Sequence, residues 1–403
     1  MMPQPHGCWL TARRTRMHGL LLALCLWAIY AADLGAPGLH DRNGLIKGTD
    51  FLHFYTLGKI ALLGRGDLLY DMRGQSELIR QTVPEASGYS YVSLYGPQVS
   101  LWFAPLARLS YANALAMWLL LNIAIYAGCC FLIWRRCPNL QDQGWTILIL
   151  AAAFPGFFHL IAWGQTSGLA LLCFTLSYLA LQKDRKFLAG LAVGCLIFKP
   201  QLGIAAAIVF TLTGQWRVVA GALVSAVAQL LLAWSDYGSL VMHQYWQALL
   251  QVQQLMPLLE PRPYQMHSAR AFWSLLLPWP RLATLLYYLS GTAVMILTVE
   301  LWRRPAALQI RYAGLLLATI LVSPHLTVYD LVILAPAFLL LADQALPSSG
   351  WLIYACYPLF LLGPLTKFTH LQLSVPAMFC LLWVCYRHSD WRNPPAPATL
   401  VTI

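Results

Sequence analysis

Charge is what this sequence has least of. Only 10% of its 403 residues are charged and 59% are hydrophobic, whereas about a quarter of a soluble domain is charged. That shortage excludes an ordinary globular enzyme and points to an all-α polytopic membrane protein, read as a single integral domain over residues 1–403. Nucleotide chemistry has no foothold either. There is no P-loop, no dinucleotide fingerprint, no Gly-x-Ser-x-Gly elbow and no His-Glu-x-x-His zinc site. An enzyme built this way has to draw an activated substrate from the bilayer or from the aqueous space outside. The ten cysteines form no Cys-x-x-Cys, and Cys129, Cys130, Cys173, Cys195 and Cys380 sit in apolar runs, so neither a metal site nor a disulfide framework is expected. Arg13, Arg14 and Arg16 precede the first apolar segment as in a signal peptide, but no small-residue cleavage site follows, which makes that segment an uncleaved span.

The charge that is present is informative by its placement. A formal net charge of +11 suits nucleic acid, but the Lys and Arg fall in small clusters between apolar segments rather than along one face, so they read as topology signals. About twelve crossings are expected at roughly 20 residues each, fewer inside a bundle. The first covers Met17–Ala32. The others lie near 111–134, 145–161, 167–182, 186–199, 201–213, 217–234, 281–302, 306–322, 331–343, 350–363 and 370–386. Pro97–Leu109 is treated as an embedded part of the outer loop, because a crossing there would turn Arg135-Arg136 and Lys183–Lys186 outward. Both termini then face the cytoplasm of a bacterial inner membrane, with a tail over 387–403 that carries Arg387 and Arg392. Residues 33–110 and 235–280 form two large periplasmic loops.

This arrangement collects the unusual polar residues on the outer face. Asp50 opens an apolar helix running to Gly64, with Thr49 or Asp50 able to cap its first turn, and the helix is expected in the membrane interface. Gln165 follows Gly164 between two spans, where a buried amide would need partners. Lys199 stands at a broken helix end before Pro200-Gln201, a good place for an anion. His325 and Asp330 occupy the turn after Ser323-Pro324. His267 and Arg270 precede a span and either clamp phosphate or anchor the helix. Each has a plainer reading: a cap for Asp50, a snorkelling stem for Lys199, a turn residue for Gln165, a structural imidazole for His325. A transporter of similar size would show internal repeats with paired broken helices, and none is found. A polysaccharide polymerase or ligase would lack the early Asp-led helix.

Taken together, several stretches resemble glycosyltransferase family 87, the polyprenyl-phosphate-mannose-dependent group of the GT-C superfamily. They are Gly48-Thr49-Asp50-Phe51 through Tyr55, Leu69-Tyr70-Asp71, Tyr95-Gly96-Pro97 with Ala104-Pro105-Leu106, Gly164-Gln165-Thr166, Gly190–Gly194 leading to Lys199-Pro200-Gln201, and Ser323-Pro324-His325. The resemblance implies a GT-C-type bundle with interfacial helices in its first outer loop. It also implies transfer of a sugar, mannose first, from a polyprenyl-phosphate donor to a hydroxyl of a glycolipid or glycan acceptor. By it Asp50 is the general base of an inverting displacement, with no metal and no cofactor. Lys199, His325, Gln165, Arg270, His267, Tyr95 and Asp330 are the candidates for binding donor phosphate or substrate, and Asp71 and Asp330 are the reserve carboxylates. The family often has Tyr-Pro-Pro where Tyr95-Gly96-Pro97 stands, and a Trp or further His where Leu326–Tyr329 stands.

Overall fold

The computed structural model describes residues 11–260 and 262–389, so Arg392 and most of the tail assigned to the cytoplasm lie outside the described residues. Those residues are helical throughout, with no strand. Helix α1 (Ala12–Leu34) leads to α2 (Thr49–Leu62), α3 (Met72–Thr82), α4 (Gln98–Ala107) and α5 (Tyr111–Trp134). Next come α6 (Gly144–Ala152), α7 (Pro155–Trp163), α8 (Ser167–Gln182), α9 (Lys186–Gly194) and α10 (Pro200–Leu212). Helix α11 (Trp216–Leu250) is followed by α12 (Val252–Leu259), α13 (Ala269–Leu276) and α14 (Pro280–Arg303). The chain closes with α15 (Leu308–Val322), α16 (Leu334–Gln344), α17 (Ser349–Leu361), the single turn α18 (Thr366–Thr369) and α19 (Ser374–Arg387).

Four of these, α1, α5, α11 and α14, are long and apolar enough to cross a membrane; two bent pairs, Pro138–Ala152 with Pro155–Trp163 and Ser349–Leu361 with Gly363–Thr369, raise the number to six. The other expected crossings coincide with shorter helices. Five of them, among them α8, α10 and α15, are apolar helices of 10–17 residues, below the roughly 20 that a ~30 Å hydrocarbon layer requires. They are shortened by the chain's own punctuation: Pro155 and Pro200 each start a helix. One of them is surrounded by protein. In α15 every residue from Tyr312 to Val322 is buried, and this helix packs between α16 and α19 at the centre of the fold.

The two large loops are also more structured than their polarity suggests. Helix α11 continues to Leu250 across a break at Gly238, so the first part of the expected second loop is helical. The first loop holds α2, α3 and α4. Helix α2 shows no wet strip over its first turns: Phe51 through Gly58 are buried without interruption, and α4 is its main partner. The apolar surround that reads as lipid in the sequence is the protein itself. Phe54 stacks on Phe103 at 5.0 Å and Phe103 meets Trp118 edge-on at 4.8 Å, and each such buried ring is worth ~1.5–3 kcal/mol over its exposed state. This packing fixes the start of α2, where Asp50 is.

Candidate active site

Helix α2 is capped by backbone conformation, not by a side chain. Its N-cap is Gly48 at φ 67°, and neither Thr49 nor Asp50 caps the first turn through a side-chain hydrogen bond. A Cβ on Gly48 would lie 2.4 Å from Leu115 Cδ1, so glycine is needed there for conformation and for space. Asp50 is thereby freed from capping. Its Oδ2 instead accepts from Gln165 Nε2 at 2.8 Å, and Gln165 Oε1 accepts from the backbone N–H of Thr166 at 2.9 Å, which fixes the amide's orientation. The approach depends on Gly164, at φ 68°, where a Cβ would stand 2.7 Å from Phe51 Cβ; Trp118 Nε1 holds its carbonyl at 2.8 Å. Burial pushes the Asp50 carboxyl up to about 6, against the Gln165 hydrogen bond and the charges of Lys199 and Arg262. Desolvation outweighs these opposing contributions.

Asp50 faces a cavity of about 1350 Å³, larger than the 300–1,000 Å³ typical of a single small-ligand site and roomy enough for two substrates. Tyr95, Gln165, Lys199, Arg270 and His325 border it with Asp50. From this cavity an apolar groove of about 720 Å³ runs between α10 and α14 past Leu212, Met295, Ile296 and Val299 to Arg303; Ile204, Tyr287, Tyr288 and Pro324 border both spaces. From Tyr287 to Arg303 the helix rises ~24 Å, close to the thickness of the hydrocarbon layer.

Asp50 thus borders a large cavity from which an apolar groove leads away, and residues 94–324, more than half of the chain, match the model of glycosyltransferase family 87. The chain belongs to glycosyltransferase family 87. The resemblance carried by the short motifs is thus borne out, and the protein is a membrane glycosyltransferase. Comparison with curated proteins and with solved structures gave no match. The stretch matched to family 87 contains Tyr95, Gln165, Lys199, His267 and Arg270, stops one residue before His325 and does not reach Asp50 or Asp330.

Within this family 87 cavity the candidates are not equivalent. Lys199 Nζ forms a buried ion pair with Asp330 Oδ1 at 2.9 Å, their side chains only 3% and 2% exposed. Ser167 Oγ donates to the same Oδ1 at 2.6 Å and takes a hydrogen bond from Lys199 Nζ at 2.9 Å. Asp330 Oδ2 accepts the Thr327 N–H at 3.2 Å in a capping box. Lys199 is therefore no snorkelling stem, and its charge is answered inside the fold. Arg270 and His325 converge on Glu260, which sequence reasoning passed over. His267 lies elsewhere: it is buried, its Nδ1 is 2.7 Å from Ser374 Oγ, and it does not border the cavity. That is the anchoring alternative, with desolvation pushing the imidazole down to about 3. Asp71 is an exposed N-cap of α3, accepting from the Arg73 N–H at 3.0 Å. Tyr95 contributes an aromatic wall, its ring 5.0 Å from Phe54 and its carbonyl held by Tyr70 Oη at 2.9 Å. The sequence also gave no weight to Arg262 and His53, both on the cavity wall.

Proposed function

We propose that the protein transfers a sugar, with mannose the first to test, from a polyprenyl-phosphate donor to a hydroxyl of a glycolipid or glycan acceptor. The reaction takes place on the outer face of a bacterial inner membrane, without metal or cofactor. Asp50 is the general base in this reading. It takes the acceptor hydroxyl proton as that oxygen attacks the anomeric carbon; the bond to the phosphate oxygen breaks, the electron pair leaves with the lipid phosphate, and the anomeric centre inverts. The observation that carries the reading is Asp50 itself. It has one neutral hydrogen-bond partner, Gln165, and a pKa near 6, ionised at pH 7 yet basic enough to accept a proton in the transition state.

A lipid-linked donor is supported by the groove between α10 and α14, whose wall is apolar except at its Glu300–Arg303 end and which opens from the cavity beside Tyr287 and Pro324. Lys199 acts through the fold in this reading, by holding Asp330 and the 327–333 turn, and the groups offered to the leaving phosphate are the guanidinium cations of Arg262 and Arg270 and the imidazole of His325. The test is incubation of purified protein in lipid nanodiscs with undecaprenyl- or decaprenyl-phosphate mannose and a glycolipid acceptor. Acceptor-dependent release of the lipid phosphate is expected. Turnover with a nucleotide sugar, and none with any lipid-linked donor, would sink the proposal.

A further inference from the structure

Behind the cavity wall a carboxylate holds two of the residues that line it. Glu260 ends α12, a helix with no buried residue, and its Oε1 accepts both the Nδ1–H of His325 at 2.9 Å and an Nη2–H of Arg270. Arg270 Nε in turn donates to the carbonyl of Pro324. Three separate segments are drawn to one carboxylate: the end of α12, the first turn of α13 and the 323–327 turn. The last two are also joined by a Met266–Thr327 bridge and by the His267 N–H to Leu326 carbonyl bond at 3.3 Å. Burial would push the Glu260 carboxyl up, but the His325 hydrogen bond and the Arg270 charge outweigh it and hold the group below its ordinary range.

Placement decides what this carboxylate does. Arg270, His325 and Pro324 border the cavity and Glu260 does not; its side chain is 10% exposed where those of Arg270 and His325 are each 26% exposed. Glu260 stands behind the wall. With Nε and Nη2 of Arg270 engaged, Nη1 is left for a ligand, as is Nε2 of His325.

We propose that Glu260 is a positioning residue that fixes Arg270 and His325 at the phosphoryl group of the donor. This rests on the lipid-phosphate reading of the cavity. The sign of the effect is diagnostic. A carboxylate near an anion site repels the anion by its charge, so if Glu260 merely competed with phosphate, its neutralisation would tighten binding. As the group that orders a long guanidinium and a rotatable imidazole, its loss weakens binding instead, because both side chains swing into water when their shared partner is gone.

The experiment measures farnesyl phosphate against farnesol on the full chain in nanodiscs, with farnesol binding as the control for folding. Wild-type protein is expected to prefer the phosphate, and Glu260→Gln is expected to reduce that preference by about ten-fold, the scale of one charge-assisted hydrogen bond. Glu260→Asp, which keeps the charge and loses reach, is expected to fall between, and it carries the test if the Gln variant does not accumulate. On an Arg270→Ala/His325→Ala background Glu260→Gln is expected to add nothing. A wild type that binds farnesol as tightly as farnesyl phosphate overturns the donor reading and this role together. A wild type that prefers the phosphate, with Glu260→Gln equal to it or tighter, overturns only the role of Glu260, as does a further loss on the double-alanine background.

Discussion

Asp50 and Asp330 are two acids with opposite surroundings. Asp330 is met by an ammonium, a serine hydroxyl and a backbone N–H, and is sealed behind the wall. Asp50 is met by one neutral amide and opens on the cavity. A carboxylate can accept about four hydrogen bonds, so Asp330 has most of its capacity used by the fold while Asp50 keeps most of its own for a ligand. A membrane enzyme of this composition cannot leave an acid unmatched for structural reasons, since desolvating it costs free energy. The unmatched one is where chemistry is expected, and the matched one is part of the scaffold.

The largest expected effect tests that assignment directly. Asp50→Asn should lower transfer by about 10²–10⁴, the usual worth of general-base assistance, and leave thermal stability unchanged or higher. The linkage sign supports the second half: the folded pKa of about 6 lies above the ordinary value of 3.8. The contribution of Asp50 to stability is therefore full below pH 4 and lost as pH rises through 6. At pH 7.5 the wild type carries an ionised buried acid and the Asn variant does not. Turnover and melting temperature measured on the same preparation check both; near wild-type turnover would remove Asp50 from the base role.

Asp330 should behave in the reverse way. Lys199→Met leaves its carboxylate buried without an ammonium and should cost ~3–5 kcal/mol of stability, whereas Lys199→Met with Asp330→Leu should recover most of it, because a buried pair is often replaceable by apolar groups. Denaturation of the two variants decides; a stable single variant with poor donor affinity would return Lys199 to the phosphate. The smallest effect belongs to the amide between the two regions. In the wild type the acid limb of kcat/KM is expected near pH 6. Gln165→Leu removes the hydrogen bond that opposes desolvation, and the limb should move up by roughly one unit, with turnover at pH 8 within about ten-fold. An unmoved limb would show that Gln165 does not set the acidity of Asp50.

Much of this site was legible because polar residues at the ends of apolar runs stand out against the background. Asp50 after Gly48, Gln165 after Gly164, Lys199 before Pro200 and the Ser323–Asp330 turn are all such breaks, and the structure brings them to one region. Their pairing was not legible. That Lys199 meets Asp330 across 131 positions follows from how α8, α10 and the 328–333 turn pack, which no local spacing encodes. Glu260 was hidden in a loop of ordinary polarity, where a single acid is usually solvated. The wet strip expected along α2 is missing for a simple reason: an all-round apolar helix looks the same whether bilayer or protein surrounds it. The cap was misjudged because Thr and Asp are the usual choices, although the glycine just before them was a usable signal.

The groove beside α14 also bears on how the enzyme meets its substrate. Its walls include side chains on the outside of the bundle, such as Ile296 at 59% and Tyr288 at 62% exposure. If the donor is the proposed lipid phosphate, a tail lying there stays in contact with the surrounding lipid from arrival to departure. Encounter is then a search in two dimensions, governed by the surface density of donor in the leaflet and not by its bulk concentration. Apparent KM values should rescale with the amount of inert phospholipid at fixed donor, and should be expressed as mole fractions.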